Sequence, residues 1–424
     1  MRRLHVPFRE CINESESQKQ ALVSVRAGSF ATLVCTIIIS LTFTLIQPLY
    51  AQGTLVGKVY PSEKRAVDNK EYGYEVMQWT QLGSNNVLYF NVESFIDATH
   101  LMFYSDRSGS TNLFKLDLTS GTITQMTDEK ELTQEAWYLP QFHTLWFLTK
   151  KELKSLNTTT FEVRTVFHFE NGKPQSFAIT CDGRYCVYSA NENPGFASNC
   201  STGPYALFRL DLQAHEVKQI SPNMGFKISH VMTSPVDPGL LSYCWQHIYD
   251  KGAPGMVGNT PNRIWWNNIE GTDGGPVGIQ EFGLHRTHEF WFPDGKHLGY
   301  SARYHFGPNK GKQFIGIITP DGKDNFMMPV PVSSSHNQIY SDNIHWVCDL
   351  YEGLHLVLFT IEGREIVKKQ ILYEHGSSMK GDPTHPHPHF SPDGKYIAFT
   401  TDRTGRPQVY TVKVDIGKES LPQH

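Results

Sequence analysis

The chain has 424 residues, a formal net charge of −4 and 12% aromatic residues. That length is enough for one large domain or roughly two to three ordinary ones, each with its own core. No long basic block is present, which excludes the electrostatic footprint of a nucleic-acid binder, and the aromatic content suits a β-rich protein with aromatic-lined pockets.

At the N-terminus, Arg2, Arg3, Lys19 and Arg26 precede an apolar run from Phe30 to Ile46, followed by QPLYAQG with Ala51 at a cleavage position. Residues 1–51 therefore read as an export signal with a long leading region. The mature chain is expected in the periplasm or outside the cell, with no stable membrane association after cleavage. Because the apolar run is slightly short for a membrane span, an uncleaved anchor is the alternative. Cleavage removes Cys11 and Cys35 and leaves Cys181, Cys186, Cys200, Cys244 and Cys348, an odd set for an oxidising compartment. Their spacing does not suit a zinc site.

Residues 52–424 repeat one pattern. FIDATHLMFYSDRSGSTNLFKLDL, starting at Phe95, returns near the C-terminus as FSPDGKYIAFTTDRTGRPQVYTVKV, with weaker copies in CDGRYCVYSANEN and FPDGKHLGYSARY. Each copy reads turn, alternating strand, polar turn, alternating strand. Turns such as Asp182-Gly183, Asp294-Gly295 and Asp393-Gly394, with degenerate units near Gln141, Pro238 and Asp342, recur every roughly 40 to 55 residues, the length of a four-stranded propeller blade. No segment carries a sustained helical period. The fold class expected is all-β, a seven-bladed β-propeller in one domain, with LVGKVY near Leu55 pairing with the C-terminal unit to close the ring.

Propellers bind ligands on the central axis, where each blade contributes one or two residues, so site residues should recur at blade spacing. Polar residues that break the repeat do so: Arg263 in NRIWW, His288 in RTHEFWFPDG, His336 in SSSHNQIYSDN, then Asp382, His385 and His387 in GDPTHPHPHF. His230 and His247 are further pocket candidates. In the last stretch the prolines hold the chain extended, so the alternate histidines His385, His387 and His389 project to one side. Converging imidazoles with a nearby carboxylate suit a divalent transition metal; a His/Pro-rich surface loop is the other reading of the same letters.

These stretches together, YFNVESF with SDRSGSTNLFKLDL, RIW, THEFWFPDG, SHNQ and THPHPHFSPDG, resemble the oligogalacturonate lyases, a family of seven-bladed propeller polysaccharide lyases. The resemblance implies that the chain cleaves short 4-linked galacturonide oligomers by β-elimination during pectin degradation, leaving a 4,5-unsaturated uronate. It implies His288 as general base and Arg263 as partner of the uronate carboxylate. It also implies a Mn2+ site from His336, His385 and His387, with Asp382 standing where the family has Gln; another divalent metal is the alternative. His389, on the same face as His385 and His387, is left outside this set. The family's C-H-E-G is replaced here by Cys244-Trp245-Gln246-His247, so His247 or Trp245 is a candidate subsite residue particular to this chain, and His230 is a separate candidate substrate contact. A non-catalytic TolB-like propeller binding a sugar or protein is the competing reading, although a binding module has no need of a base. A serine-peptidase propeller is disfavoured because no G-x-S-x-G elbow is present.

Overall fold

The computed structural model describes residues 54–170, 174–191, 202–246, 262–281, 283–331, 334–350 and 354–416. The export signal expected over residues 1–51, Cys200 and His247 lie outside the described residues. Among the described residues, thirty-one strands assemble into seven antiparallel sheets of four or five strands, and the only helices are two short 3-10 turns. The protein is an all-β, seven-bladed propeller.

The repeat seen in the sequence has a local cause. Asp182-Gly183, Asp294-Gly295, Asp321-Gly322 and Asp393-Gly394 each form a tight turn in which the glycine takes a φ between 65° and 73°. The Asp carboxylate accepts the backbone N–H two residues on, as from Arg184 at 3.1 Å and Lys296 at 2.8 Å. Glycine reaches that left-handed backbone without the Cβ clash, and Asp closes the turn through its side chain.

Each blade begins with an inner strand. These are Asn85–Val87 in blade 1, Leu132–Leu139 in blade 2, Ser176–Ile179 in blade 3, Ile228–Thr233 in blade 4, Leu284–Trp291 in blade 5, Ser334–Ile339 in blade 6 and His389–Phe390 in blade 7. From blade 2 to blade 7, the inner strands of neighbouring blades touch one another around the axis. The core is divided accordingly into seven apolar clusters, one at each blade-to-blade interface. Between blades 5 and 6, for instance, Phe290 and Phe292 pack against the fully buried Trp346 with ring centroids 5.0 and 6.0 Å away.

Ring closure differs from the expectation. The strand Val59–Tyr60 adds to the outside of blade 1 by pairing with Ile123–Gln125. Closure comes instead from Val76–Gln78, which pairs with the last strand, Gln408–Lys413, in the register Val76↔Val412, Met77↔Thr411 and Gln78↔Tyr410. Trp79 Nε1 reinforces the join by donating to Thr411 Oγ1 at 2.9 Å. The physical reason is burial: Val76 is 1% exposed and sits in the interface between blades 6 and 7, whereas Val59 is 63% exposed.

Candidate active site and metal centre

The inner strands are bent where the candidate residues lie. In blade 4 the register slips between Ser229 and Met232, in blade 5 between Thr287 and Phe290, and in blade 6 between Ser334 and Asn337, each inserting one extra residue into the inner strand. Such β-bulges re-aim side chains. His230 and His288 fall inside two of them, at φ 47° and 51°, and His387 takes φ 45° ahead of the blade 7 strand. Left-handed backbone is costly for a residue with a Cβ and persists where the surroundings over-determine it. A cavity of about 350 Å³ opens here, lined among others by Tyr89, Gln134, His230, Gln246, Asp382 and His387.

Three imidazoles converge in this region. One ring nitrogen each from His336, His385 and His387 lies within 4.8 Å of the others. Two nitrogens bound to one ion at about 2.1 Å can be no more than about 4.2 Å apart, so a small inward rotation is all that a shared ion requires. The donor chemistry fits. His336 Nδ1 is engaged with Asp349 at 2.8 Å while its backbone N–H donates to the other oxygen of the same carboxylate at 2.7 Å, which leaves Nε2 as the ligating atom. Asp349 is fully buried, the outer carboxylate that typically orients a metal-binding histidine. His385 Nδ1 and His387 Nε2 are buried without a hydrogen-bond partner. Burial first, then the His336 ring, pushes His387 well below the ordinary histidine range and lowers His385, which favours the neutral form that a metal would need.

Asp382 stands apart from this trio. Its side chain is 78% exposed, its carboxylate is 3.7 Å from His385 Nδ1, and it lines the cavity. His389 turns away and bonds through Nε2 to the Leu88 carbonyl at 2.9 Å, which makes it a framework residue.

His288 lies beside the trio, its ring 4.7 Å from that of His336. It is half-buried, and its Nδ1 has no hydrogen-bond partner. Burial, then the neighbouring His336 and Arg263, holds it well below the ordinary histidine range, so the ring is a free base at neutral pH.

Arg263 is 4% exposed and is held by a residue that the sequence reading passed over. Glu289 receives Arg263 Nε at 3.2 Å on one oxygen and Nη2 at 3.4 Å on the other, while Nη1 donates to the Trp245 carbonyl at 3.4 Å. The remaining N–H groups of the guanidinium are free of these contacts. Glu289 also bonds His230 Nδ1 at 3.1 Å. Burial alone would raise the Glu289 carboxyl, but Arg263 and His230 outweigh it and hold the group well below the usual carboxylate range. Glu289 was legible only as a letter of THEFW, and Asp349, within an apolar strand, carried no signal of its own.

Trp245 stacks on Phe226 with centroids 4.4 Å apart, so its ring is committed to the interface between blades 3 and 4, and Gln246 lines the cavity instead. Cys181, Cys186, Cys244 and Cys348 are free thiols.

No family model matches the chain. An oligogalacturonide lyase of Pectobacterium atrosepticum is 25% identical over 354 residues, covering 76% of this chain and 87% of that protein. An oligogalacturonate lyase of Dickeya dadantii is 28% identical over 228 residues, covering 49% of this chain and 55% of that one. The chain is related to the oligogalacturonate lyases. Solved structures agree on the fold: an oligogalacturonate lyase in complex with manganese superposes with a TM-score of 0.75 at 23% identity over 85% of this chain and 98% of that one. An oligogalacturonate lyase from Vibrio parahaemolyticus gives 0.74 at 21% identity over the same share of this chain.

Proposed function

We propose that this lyase cleaves short 4-linked galacturonide oligomers by β-elimination, using a divalent metal, Mn2+ in the first instance, held by His336, His385 and His387. The observation that carries this reading is the convergence of three ligand nitrogens beside a free base, His288, and a buried guanidinium, Arg263. The relatives named above, and the manganese bound by one of them, point the same way.

β-Elimination removes the C5 hydrogen, which the neighbouring ionised carboxylate makes very weakly acidic, and expels the oxygen at C4. Negative charge builds on the carboxylate as the C5–H bond breaks, so the site must place positive charge there while a base takes the proton. His288 accepts the proton, and Arg263, aimed by Glu289, donates its remaining N–H groups to the carboxylate. A divalent ion held by His336, His385 and His387 would supply further positive charge to offset the charge that builds on the carboxylate, with no need for a metal-activated water. Asp382 at the cavity wall is a candidate fourth ligand from the rim, and His230 and Gln246, which line the cavity, are candidate contacts for the sugar. We place the enzyme outside the cytoplasm on the strength of the N-terminal sequence.

The test is the rise in ultraviolet absorbance of a 4,5-unsaturated uronate when purified protein meets digalacturonate or trigalacturonate, with and without added manganese. A metal-dependent rise that disappears in His288→Ala supports the assignment. No rise with any galacturonide, in protein shown to bind manganese, rejects the substrate.

A further inference from the structure

Elimination needs a second proton transfer that His288 does not cover. The departing C4 oxygen leaves as a strongly basic alkoxide unless it is protonated. In a galacturonate the C5 hydrogen and the C4 oxygen project to opposite faces of the ring, so a base placed against one is badly placed to serve the other. The motif YFNVESF, which no role above absorbs, puts a phenol in the cavity. Tyr89 is half-buried, lines the cavity, and packs edge-on against the His387 ring at 4.7 Å and the His336 ring at 6.1 Å. His288 touches the same His336 ring, so phenol and base border one metal ligand.

The hydroxyl of Tyr89 is 3.4 Å from His230 Nε2, and His230 Nδ1 is 3.1 Å from the Glu289 carboxylate. With Nδ1–H donating to Glu289, Nε2 is the acceptor and the phenol is the donor. This makes a hydroxyl, imidazole and carboxylate chain in which Glu289 fixes the ring and a proton can pass between His230 Nε2 and the phenol. Its first bond is long, as catalytic hydrogen bonds commonly are before substrate closes the site. The bulged, left-handed backbone at His230 aims that ring between its two partners.

We infer that Tyr89 is the general acid of the reaction, donating its hydroxyl proton to the C4 oxygen, with His230 as the group that restores it and Glu289 holding the His230 ring in place. The inference rests on the lyase reading. In the balanced step the C5–H bond breaks and its proton goes to His288, the electron pair forms the C4=C5 double bond, the C4–O bond breaks, and the departing oxygen takes the proton of Tyr89. Afterwards His288 releases its proton to solvent, and the phenolate regains one through His230, whose side chain is 14% exposed.

The test compares Tyr89→Phe with the wild-type holoenzyme on digalacturonate and on a synthetic uronate carrying an aryloxy group at C4, which departs without a proton. The variant removes one oxygen and keeps the ring against His387, and manganese content is measured to show that the metal is retained. The expected result is a fall in kcat on digalacturonate of about 10²- to 10⁴-fold with KM little changed, and an aryloxy rate equal to wild type within a few-fold. Proportional losses on both substrates would mean that Tyr89 acts only through the architecture of the site and would overturn the assignment; so would no loss on either. A wild-type enzyme inactive on both substrates overturns the lyase reading, and this assignment with it.

Discussion

Glu289 and Arg263 form a buried ion pair at the core of the site, Nε to Oε2 at 3.2 Å, with the Glu289 side chain fully buried and that of Arg263 5% exposed. Arg263 arrives from blade 4 and Glu289 from blade 5, so the pair ties two blades together at the cavity and fixes where the guanidinium can point. Removing one member of such a pair strands the other charge out of water, at a cost of about 3 to 5 kcal/mol. Glu289→Ala is therefore expected to lower the denaturation midpoint and to reduce kcat/KM on digalacturonate. Chemical denaturation alongside the ultraviolet assay checks both, and unchanged stability would show that the charge is relieved by water.

Asp349 holds the His336 ring, and metal binding at the proposed site is expected to depend on it. Asp349→Asn keeps the size of the side chain but weakens the hold on His336 Nδ1, and outer partners of this kind are worth about 10- to 100-fold in metal affinity. Manganese titration by calorimetry should show that loss, whereas His288→Ala, whose ring lies outside the trio, should bind the ion normally. His387→Ala removes a ligand outright and should lose the ion at concentrations that saturate the wild type.

Acid stability should bear the mark of His375, which is fully buried and accepts the Ser377 N–H on Nδ1 at 3.1 Å. Burial pushes it down to about 4, with the nearby Asp349 only partly opposing. An unfolded histidine titrates near 6.5, so between about pH 6.5 and 4 the unfolded chain takes up a proton that the folded one refuses. The folded value is the lower one; the contribution is therefore complete above about pH 6.5 and is lost as pH falls towards 4, amounting to roughly 3 kcal/mol. His375→Gln should flatten that part of the stability profile relative to wild type, measured by denaturant titration across the window.

Closure of the ring by Val76–Gln78 makes a contrast between two substitutions. Met77→Pro removes a ladder N–H inside the closing sheet and should cost about 3 kcal/mol, a fall of a few degrees in Tm. Val59→Ala, on the exposed outer strand of blade 1, should stay within about 0.5 kcal/mol. The reverse ranking, read by scanning calorimetry, would restore the closure expected from LVGKVY.

Much of this protein was written along the chain. Asp-Gly turns and alternating strands are local, because each turn is closed by its own Asp and each strand shows its period over a few residues, so the all-β class and seven blades followed from the sequence. The HPH stretch was legible as a cluster of histidines but not in its backbone: His385 is extended as expected before proline, whereas His387 takes a left-handed φ of 45° and His389 turns away to the Leu88 carbonyl, so the three do not share one face. Which strand closes the ring was decided only in three dimensions, since Val59 and Val76 both sit in strand-like letters and only burial between blades 6 and 7 separates them. The pairings Glu289 with Arg263, Asp349 with His336, and Tyr89 with His230 span 26, 13 and 141 residues. No periodicity records such distances. They depend on bulges that turn particular side chains towards the axis, and that geometry exists only once the ring has closed.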